Sequence, residues 1–426
     1  MNFSIITFGC RVNQADSLAI EEELRAGGAT ASSSADADVV IVNTCSVTAA
    51  SDQGARQTIR RIARDNPAAR VIVTGCYATR RPDEVRALPG VVRLIPNGDK
   101  DRLLDLVGPD LGLTTAERFA DGDGPCGLEI APGVAGRTAF TLRVQTGCEE
   151  RCSYCIIPAT RGAGRSLPLA EVVDRVSRIA KAGYKEIAIA GVHLGSYGRD
   201  LGGTTSLLAL LQALDALPSD VTFRVSSLEP MDCTREIVDL VARGGRFAPH
   251  FHLPLQHGGD AVLARMQRPY TLRYYRELIE YSLTRIPHAS IGSDLIAGFP
   301  GETDAEFRET TDYLSSSGLS HLHVFPYSDR PGTVATAMAG KVPGAVVRER
   351  ATALRAIGSD LSRRFRRAQI GSIRPALTLD DGSVVVTDNY LKLKIGPGLS
   401  RNARVRVRVE DETSATVVES VACWQA

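Results

Sequence analysis

Three cysteines crowd the run QTGCEERCSYC (145–155), at Cys148, Cys152 and Cys155, a C-x3-C-x2-C spacing. Three thiolates this close can wrap one small inorganic cluster without large backbone excursions. Structural zinc usually takes four protein ligands, and no fourth Cys or His lies nearby in the sequence. A cluster held by only three cysteines leaves one iron vacant for a substrate or cofactor. The plainer reading is a reduced loop of structural cysteines.

Three further cysteines share a design. SIITF (4–8) runs into Cys10, VVIV (39–42) into Cys45 and VIV (71–73) into Cys76. Each run is short and rich in β-branched residues, the pattern of a strand buried on both faces. Helical patterns lie between them, at about 16–26 and 50–65, and the cysteines follow one another at steps of 35 and 31 residues. Such alternation predicts a parallel sheet, whose strands all present their carboxyl ends on one rim. Cys10, Cys45 and Cys76 should therefore converge. The set suits an iron–sulfur cluster with one iron open, or zinc with a fourth ligand from elsewhere. Three unrelated core cysteines are the bland alternative. Cys126, Cys233 and Cys423 have no partners at telling spacings and read as structural.

The elements around these thiols fit a chain of 426 residues, 43% apolar and 23% charged, which excludes a disordered or fibrous protein and predicts two or three domains. Its 50 basic and 49 acidic residues nearly cancel, so any nucleic-acid contact must come from a local patch. Nine cysteines in a chain this long are not needed as disulfides. The start has no basic region before its short apolar run, and no uncharged apolar stretch of 18 residues occurs, so neither a secretory signal nor a membrane span is expected. The expected compartment is the reducing cytoplasm.

From about 137 to 367, strands are expected at 139–144, 186–190, 221–226, 249–253, 290–296 and 319–325, with helices between them such as 169–182 and 303–316. Thr303 and Glu306 form a capping box for the latter. Six strand–helix units predict an open or partial (β/α)6 barrel, with its chemistry at the strands' carboxyl ends. Polar or glycine-rich turns follow several strands: 191–195, 226–229, 255–256 and 298–301. His250 and His252 share one face of a strand. Two inward histidines could bind zinc as in a metal hydrolase, and two hydrogen-bonded barrel histidines are the plainer reading.

Between 341 and 374 nine basic residues (Lys341, Arg348, Arg350, Arg355, Arg363, Arg364, Arg366, Arg367 and Arg374) are opposed only by Glu349 and Asp360. The segment reads as a helix ending near Gly371, whose basic face suits phosphate backbone. Short β-rich runs follow at 373–379, 383–387, 390–395, 403–410 and 414–420, predicting a small antiparallel barrel. Lys392, Lys394, Arg401, Arg404, Arg406 and Arg408 are its candidate RNA contacts. The expected organisation is a parallel α/β domain over 1–120, the barrel over 135–368 and the β module over 369–426.

With Tyr154 before its last cysteine, the triplet resembles the signature of the radical S-adenosylmethionine (SAM) enzymes. Together with TFGCRVNQADS (7–17), VNTCSVT (42–48), TGC (74–76), QTGCEERCSYCIIPATRG (145–162), GVHLGSYGRDL (191–201), RVSSLEP (224–230), PHFHLPLQHGGD (249–260), DLIAGFPGET (294–303) and HVFPYSDRPGT (323–333), the chain resembles the radical SAM methylthiotransferases. The likeness runs over nearly the whole length and is strongest to the branch acting on threonylcarbamoyladenosine beside the tRNA anticodon.

That resemblance implies a transferase adding a methylthio group to C2 of N6-threonylcarbamoyladenosine at position 37 of tRNA, with two [4Fe–4S] clusters and two SAM. Cys148, Cys152 and Cys155 would hold the cluster that chelates SAM, and Cys10, Cys45 and Cys76 the one that supplies sulfur. It implies a SAM pocket lined by Tyr154, Gly191, His193, Glu229, Gln256 and Asp294, and a C-terminal module similar to the RNA-binding TRAM fold. RNA contacts are expected from Arg363, Arg364, Arg366, Arg367, Lys392 and Lys394. Where the family usually has Gln-Ser-Gly-Ser, this chain has Gln256-His257-Gly258-Gly259, which puts the roles of positions 257 and 259 in doubt. The implied partners are the tRNA anticodon loop and an electron donor such as flavodoxin or ferredoxin, with the chain a monomer. Alternatives are methylthiolation of isopentenyladenosine in tRNA or of an aspartate in a ribosomal protein. From other classes come a zinc-dependent hydrolase and a non-catalytic RNA-binding protein.

Overall fold

The computed structural model describes residues 1–112 and 138–420. The readings of Cys126 and Cys423 therefore lie outside the described residues. Near the start, strands β1 (Asn2–Thr7), β2 (Thr30–Ala31), β3 (Val39–Thr44), β4 (Arg70–Gly75) and β5 (Val91–Ile95) form one parallel sheet in the order β2-β1-β3-β4-β5. β3 is buried along its whole length, as its unbroken Val-Val-Ile-Val run requires, between helices Arg11–Ala26 and Ala49–Asp65. The first helix begins at Arg11, earlier than the sequence pattern suggests. Its first turns bury the polar Asn13, Asp16 and Ser17, which interrupt the apolar periodicity that marks a helix.

The second unit has six parallel strands: β6 (Phe140–Arg143), β9 (Glu186–Ala190), β10 (Thr222–Val225), β11 (His250–His252), β12 (Ser290–Ala297) and β13 (His321–Pro326). A short hairpin of β7 (Gln145–Thr146) and β8 (Arg165–Ser166), not anticipated from sequence, leads into and out of the cysteine loop. The ladder divides into two three-stranded sheets, β6-β9-β10 and β11-β12-β13. Across the division a single bridge, Phe223 to Phe247, and a hydrogen bond from Leu228 N to His252 O carry the curve on. The result is the expected partial (β/α)6 barrel. Its main core packs Leu142, Ile187, Phe223, Phe251, Ile291 and Leu295 against the outer helices. Alternation then turns Arg224, His250, His252, Asp294, His321 and His323 toward the lumen. Thr303 caps helix Asp304–Ser316 with both halves of the capping box in place.

Helix Gly344–Gln369 closes the barrel beside β13 and stops before Gly371, whose φ of +84° ends it. The last unit is antiparallel, β14 (Ile373–Leu379), β15 (Val384–Thr387), β16 (Lys392–Lys394), β17 (Arg404–Val409) and β18 (Ala415–Ser420), in the order β16-β15-β14-β17-β18. A bridge from Lys394 to Ser414 draws its two edges together, curling it toward a barrel. β16 starts later than its sequence run because Tyr390 adopts φ +71°, which no strand residue does.

Candidate active site

The loop carrying Cys148, Cys152 and Cys155 leaves the end of β6. It turns at Gly147, where φ is +76° and a Cβ would sit 1.9 Å from the Ala163 carbonyl oxygen, so no other residue fits. Cys148 N donates to Gly162 O at 3.0 Å, Ser153 N to Met266 O at 3.1 Å, and Ser153 Oγ to Arg265 O at 2.8 Å. The loop is thus tied to the opposite side of the barrel mouth. Tyr154 packs against Val262, Met266, Phe299 and Ala335.

Two cations face this triplet. His193 sets Nδ1 3.7 Å from Cys148 Sγ and Nε2 2.7 Å from Asp232 Oδ2. Burial alone would lower its pKa, but Asp232 and Cys148 outweigh that and raise it to about 10, so the ring is an imidazolium at neutral pH. Arg268 donates from Nη1 to Cys152 Sγ at 2.8 Å and pairs with Glu229. Burial pushes Cys155 up to about 12 and raises Cys152, with Arg268 opposing the latter. Cys152 and Cys155 therefore favour the protonated thiol until a metal displaces the proton, and the cations then favour the charged set.

The spacing of the thiols adds a second test. A single tetrahedral ion at about 2.3 Å from each sulfur holds the sulfurs roughly 3.8 Å apart. Among the described residues, the potential ligand atoms that all lie within 4.8 Å of one another belong to His252, Asp294 and His323, and neither thiol triplet closes to that span. Three thiols at wider spacing, faced by cations, fit an anionic multi-iron cluster better than zinc.

The residues expected around SAM fall into two groups. Tyr154, Gly191, His193 and Glu229 surround the triplet. Gly191 is needed there because a Cβ would press on Leu194 Cα at 2.9 Å and Gln145 Oε1 at 3.0 Å. Gln256 and Asp294 lie across the barrel. Gln256, at φ +70°, spends its backbone on β12, donating to Asp294 O at 2.8 Å and accepting from Ile296 N at 2.9 Å. Asp294 sits between His252 Nε2 at 3.0 Å and His323 Nδ1 at 3.1 Å. His257 is buried behind the strand, where Nδ1 accepts from Gly259 N at 2.9 Å and the ring meets Thr310. The departure from the family pattern at this position serves packing.

Among the described residues, His250 and His252 do not pair on one metal. His252 turns to Asp294, while His250 packs against Tyr390 with ring centroids 4.6 Å apart and the planes tilted by 44°. Nor are both satisfied, because His250 Nδ1 is buried without a hydrogen-bond partner.

Cys10, Cys45 and Cys76 do converge at the ends of β1, β3 and β4. Cys45 and Cys76 are buried and Cys10 is exposed. Gly9, at φ +93°, makes the approach possible, since a Cβ there would lie 2.7 Å from Cys45 Sγ. Burial pushes Cys45 up to about 11, with the neighbouring Cys76 and Cys10 adding to it. Asn97 Nδ2 reaches Cys76 Sγ at 3.5 Å and donates to Thr160 O at 2.9 Å. Beneath lies a buried ion network around Asp16, joined by Lys100 at 2.9 Å, Arg161 at 3.2 Å and Arg143. Three cations against Asp16 leave positive charge facing Cys10 and Cys76, again suited to an anionic cluster.

Sequence reasoning missed Asp232, Arg268, Asn97, Lys100 and the Asp16–Arg161 pair. Asn13 and Asp16 in TFGCRVNQADS, and Arg161 in ATRG, were visible as polar residues in otherwise apolar elements. Arg268 carried no local signal.

The basic helix is narrower than its composition suggested. Arg350 is buried against Glu302 and Asp304, and Arg374 is paired with Asp388. Arg366 and Arg367 hold the C-terminal sheet through Glu412, at 2.6 Å and 2.7 Å. Arg363 pairs with Asp360 along its own helix, Arg364 reaches Ser317 O at 3.4 Å, and both remain exposed. Lys392 and Lys394 alternate with the buried Leu393 and point outward. Arg404 turns back to the carbonyls of Lys185 and Asp220 rather than outward.

Fold and site together define a radical SAM protein. The radical SAM superfamily model matches residues 142–314, and the model described as "Uncharacterized protein family UPF0004" matches residues 2–96. Relatives named threonylcarbamoyladenosine tRNA methylthiotransferase MtaB include one from Bacillus subtilis, 34% identical over 91% of this chain and 88% of its own length. Another, from Aquifex aeolicus, is 34% identical over 92% and 96%. A ribosomal protein uS12 methylthiotransferase RimO from Desulforudis audaxviator is 35% identical over 87% and 83%. The chain belongs to the radical SAM methylthiotransferase family. The radical SAM methyltransferase TsrM from Kitasatospora setae shares the fold, with a TM-score of 0.55 at 17% identity over 79% of this chain and 76% of that one.

Proposed function

We propose that this protein replaces the C2 hydrogen of N6-threonylcarbamoyladenosine, at position 37 of tRNA, with a methylthio group. The observation that carries the reading is the convergence of two cysteine triplets, each faced by cations, in units joined by one buried ion network. Full-length likeness to relatives named for this substrate selects the nucleoside.

Cys148, Cys152 and Cys155 would hold one [4Fe–4S] cluster and Cys10, Cys45 and Cys76 the other. When bound, the clusters and SAM supply the radical and sulfur chemistry that an unactivated aryl C–H bond needs. The chain's own residues bind, orient and exclude water. His193 and Arg268 hold positive charge at Cys148 and Cys152, and Asp232 keeps His193 protonated. Tyr154 covers the cluster loop. The lumen residues His252, Asp294 and His323 face the space left for the base.

The working division is an auxiliary-cluster domain over 1–120, the barrel over 135–368 and a TRAM-like RNA-binding module over 369–426. Lys392, Lys394, Arg363 and Arg364 are the proposed phosphate contacts, with Arg366 and Arg367 positioning the module. The protein acts as a cytoplasmic monomer reduced by a flavodoxin or ferredoxin. No helix among the described residues is long and apolar enough to cross a membrane. The test is mass spectrometry of tRNA nucleosides from cells with and without the gene. Loss of the methylthio form of threonylcarbamoyladenosine alone is expected; loss of the isopentenyladenosine form instead would overturn the assignment.

A further inference from the structure

The lumen holds one guanidinium that the reaction as described leaves unused. Arg11 directly follows Cys10 and opens the first helix, so its backbone lies beside the auxiliary site. Its Nη2 donates to Tyr390 Oη at 2.7 Å, and its Cζ lies 5.6 Å from that ring's centroid. Tyr390 comes from the C-terminal module and also packs against His250 and under Arg224. The three units of the chain thus meet at this point.

The other arginines of this region each have a carboxylate partner: Arg224 has Glu186 at 2.9 Å, Arg143 has Asp16 and Asp101, and Arg161 has Asp16. Arg11 has no carboxylate within ion-pair distance among the described residues. Asp294, on the strand β12 of the same lumen, is already held by His252 and His323. Burial, with neighbouring histidines and Arg11 adding to it, holds His321 down at about 4, while the hydrogen bond to Asp294 raises His323 on the same strand and ties its charge to that carboxylate. A half-buried guanidinium with one neutral partner has its remaining donors free for an anion.

The threonylcarbamoyl group places a free carboxylate on the N6 substituent. C2 and C6 both flank N1 of the purine, so that carboxylate lies toward the same edge of the base as the reacting carbon. A base with C2 turned to the auxiliary site would carry its carboxylate to the neighbourhood of Cys10. We propose that Arg11 and the Tyr390 hydroxyl form the subsite that binds this carboxylate and selects threonylcarbamoyladenosine over an uncharged N6 substituent. The inference rests on the substrate reading above.

The experiment measures equilibrium binding, by fluorescence anisotropy, of anticodon stem-loops to the full chain with both clusters reconstituted. One stem-loop carries threonylcarbamoyladenosine, a second its primary amide and a third isopentenyladenosine. The natural chain should bind the acid roughly ten- to hundredfold more tightly than the amide, the worth of one charge-assisted hydrogen-bonded pair. Arg11→Gln should weaken the acid alone and bring the ratio near one; Arg11→Lys should restore part of it. An acid-to-amide ratio near one in the natural chain overturns the subsite without recourse to any variant. Equal weakening of acid and amide by Arg11→Gln overturns it too, and marks Arg11 as a phosphate contact or a fold residue. A natural chain that binds the isopentenyladenosine stem-loop and neither of the others overturns the substrate reading and the subsite together.

Discussion

Arg161, which ends the helix following the barrel's cysteine loop, buries its guanidinium 3.2 Å from Asp16, six residues beyond Cys10. The same guanidinium donates to Asn13, whose Nδ2 donates in turn to the carbonyls of Phe8 at 2.7 Å and Thr44 at 3.0 Å. A single side chain therefore fixes the cysteine-bearing rims of two different sheets against each other.

Asp16→Asn should be among the most damaging single changes. It leaves Lys100 and Arg161 buried without their counter-ion and Arg143 with Asp101 alone, a cost of about 3–5 kcal/mol. The apparent melting midpoint should fall by roughly 10 °C. Burial would raise the Asp16 pKa, but the three cations overcome it and hold the carboxyl well below the usual range. Its contribution is complete above about pH 4 and is lost only as pH falls through that depressed value. Acid titration by circular dichroism should show the natural chain outlasting Asp16→Asn at pH 7 and the two converging in strong acid.

Arg268→Gln removes the cationic donor to Cys152. A hydrogen bond to a cluster ligand favours the reduced state. If about 1.4 kcal/mol of that bond differs between oxidation states, the midpoint potential should drop by about 60 mV. Redox titration followed by electron paramagnetic resonance measures it, and an unchanged potential would remove Arg268 from the cluster's surroundings.

Without metal, thiol reactivity should follow burial. Cys10 is exposed, whereas burial pushes Cys45 up to about 11. Iodoacetamide at pH 8 should label Cys10 first, as peptide mass spectrometry would reveal. Unfolded thiols ionise near pH 8.5. The metal-free chain therefore loses stability as pH rises from there toward 11, because unfolding releases protons that the fold retains.

Lys392→Ala and Lys394→Ala should each weaken tRNA binding and reduce the slope of log K against log salt by about 1. Arg367→Ala should loosen the C-terminal sheet through the lost Glu412 pair and leave that slope nearly unchanged.

The sequence revealed the architecture wherever period and element agreed. β3 is apolar throughout, helix Asp304–Ser316 carries its capping box, and both cysteine triplets fall at strand ends. What it hid was long-range polar pairing. Arg268 and Glu229 are 39 residues apart and Asp16 and Arg161 are 145 apart, and no local pattern announces either. Composition also misled where burial consumed charge, as with Arg350 in the basic helix and Arg374 beyond it in β14.

The proposed reaction requires one cluster on each of the two cysteine triplets. Anaerobic reconstitution with iron and sulfide, followed by iron determination, tests it most directly. The natural chain should hold about eight irons. Cys45→Ala should hold about four, still cleave SAM and make no methylthio product. About four irons in the natural chain, unaltered by Cys45→Ala, would contradict the account.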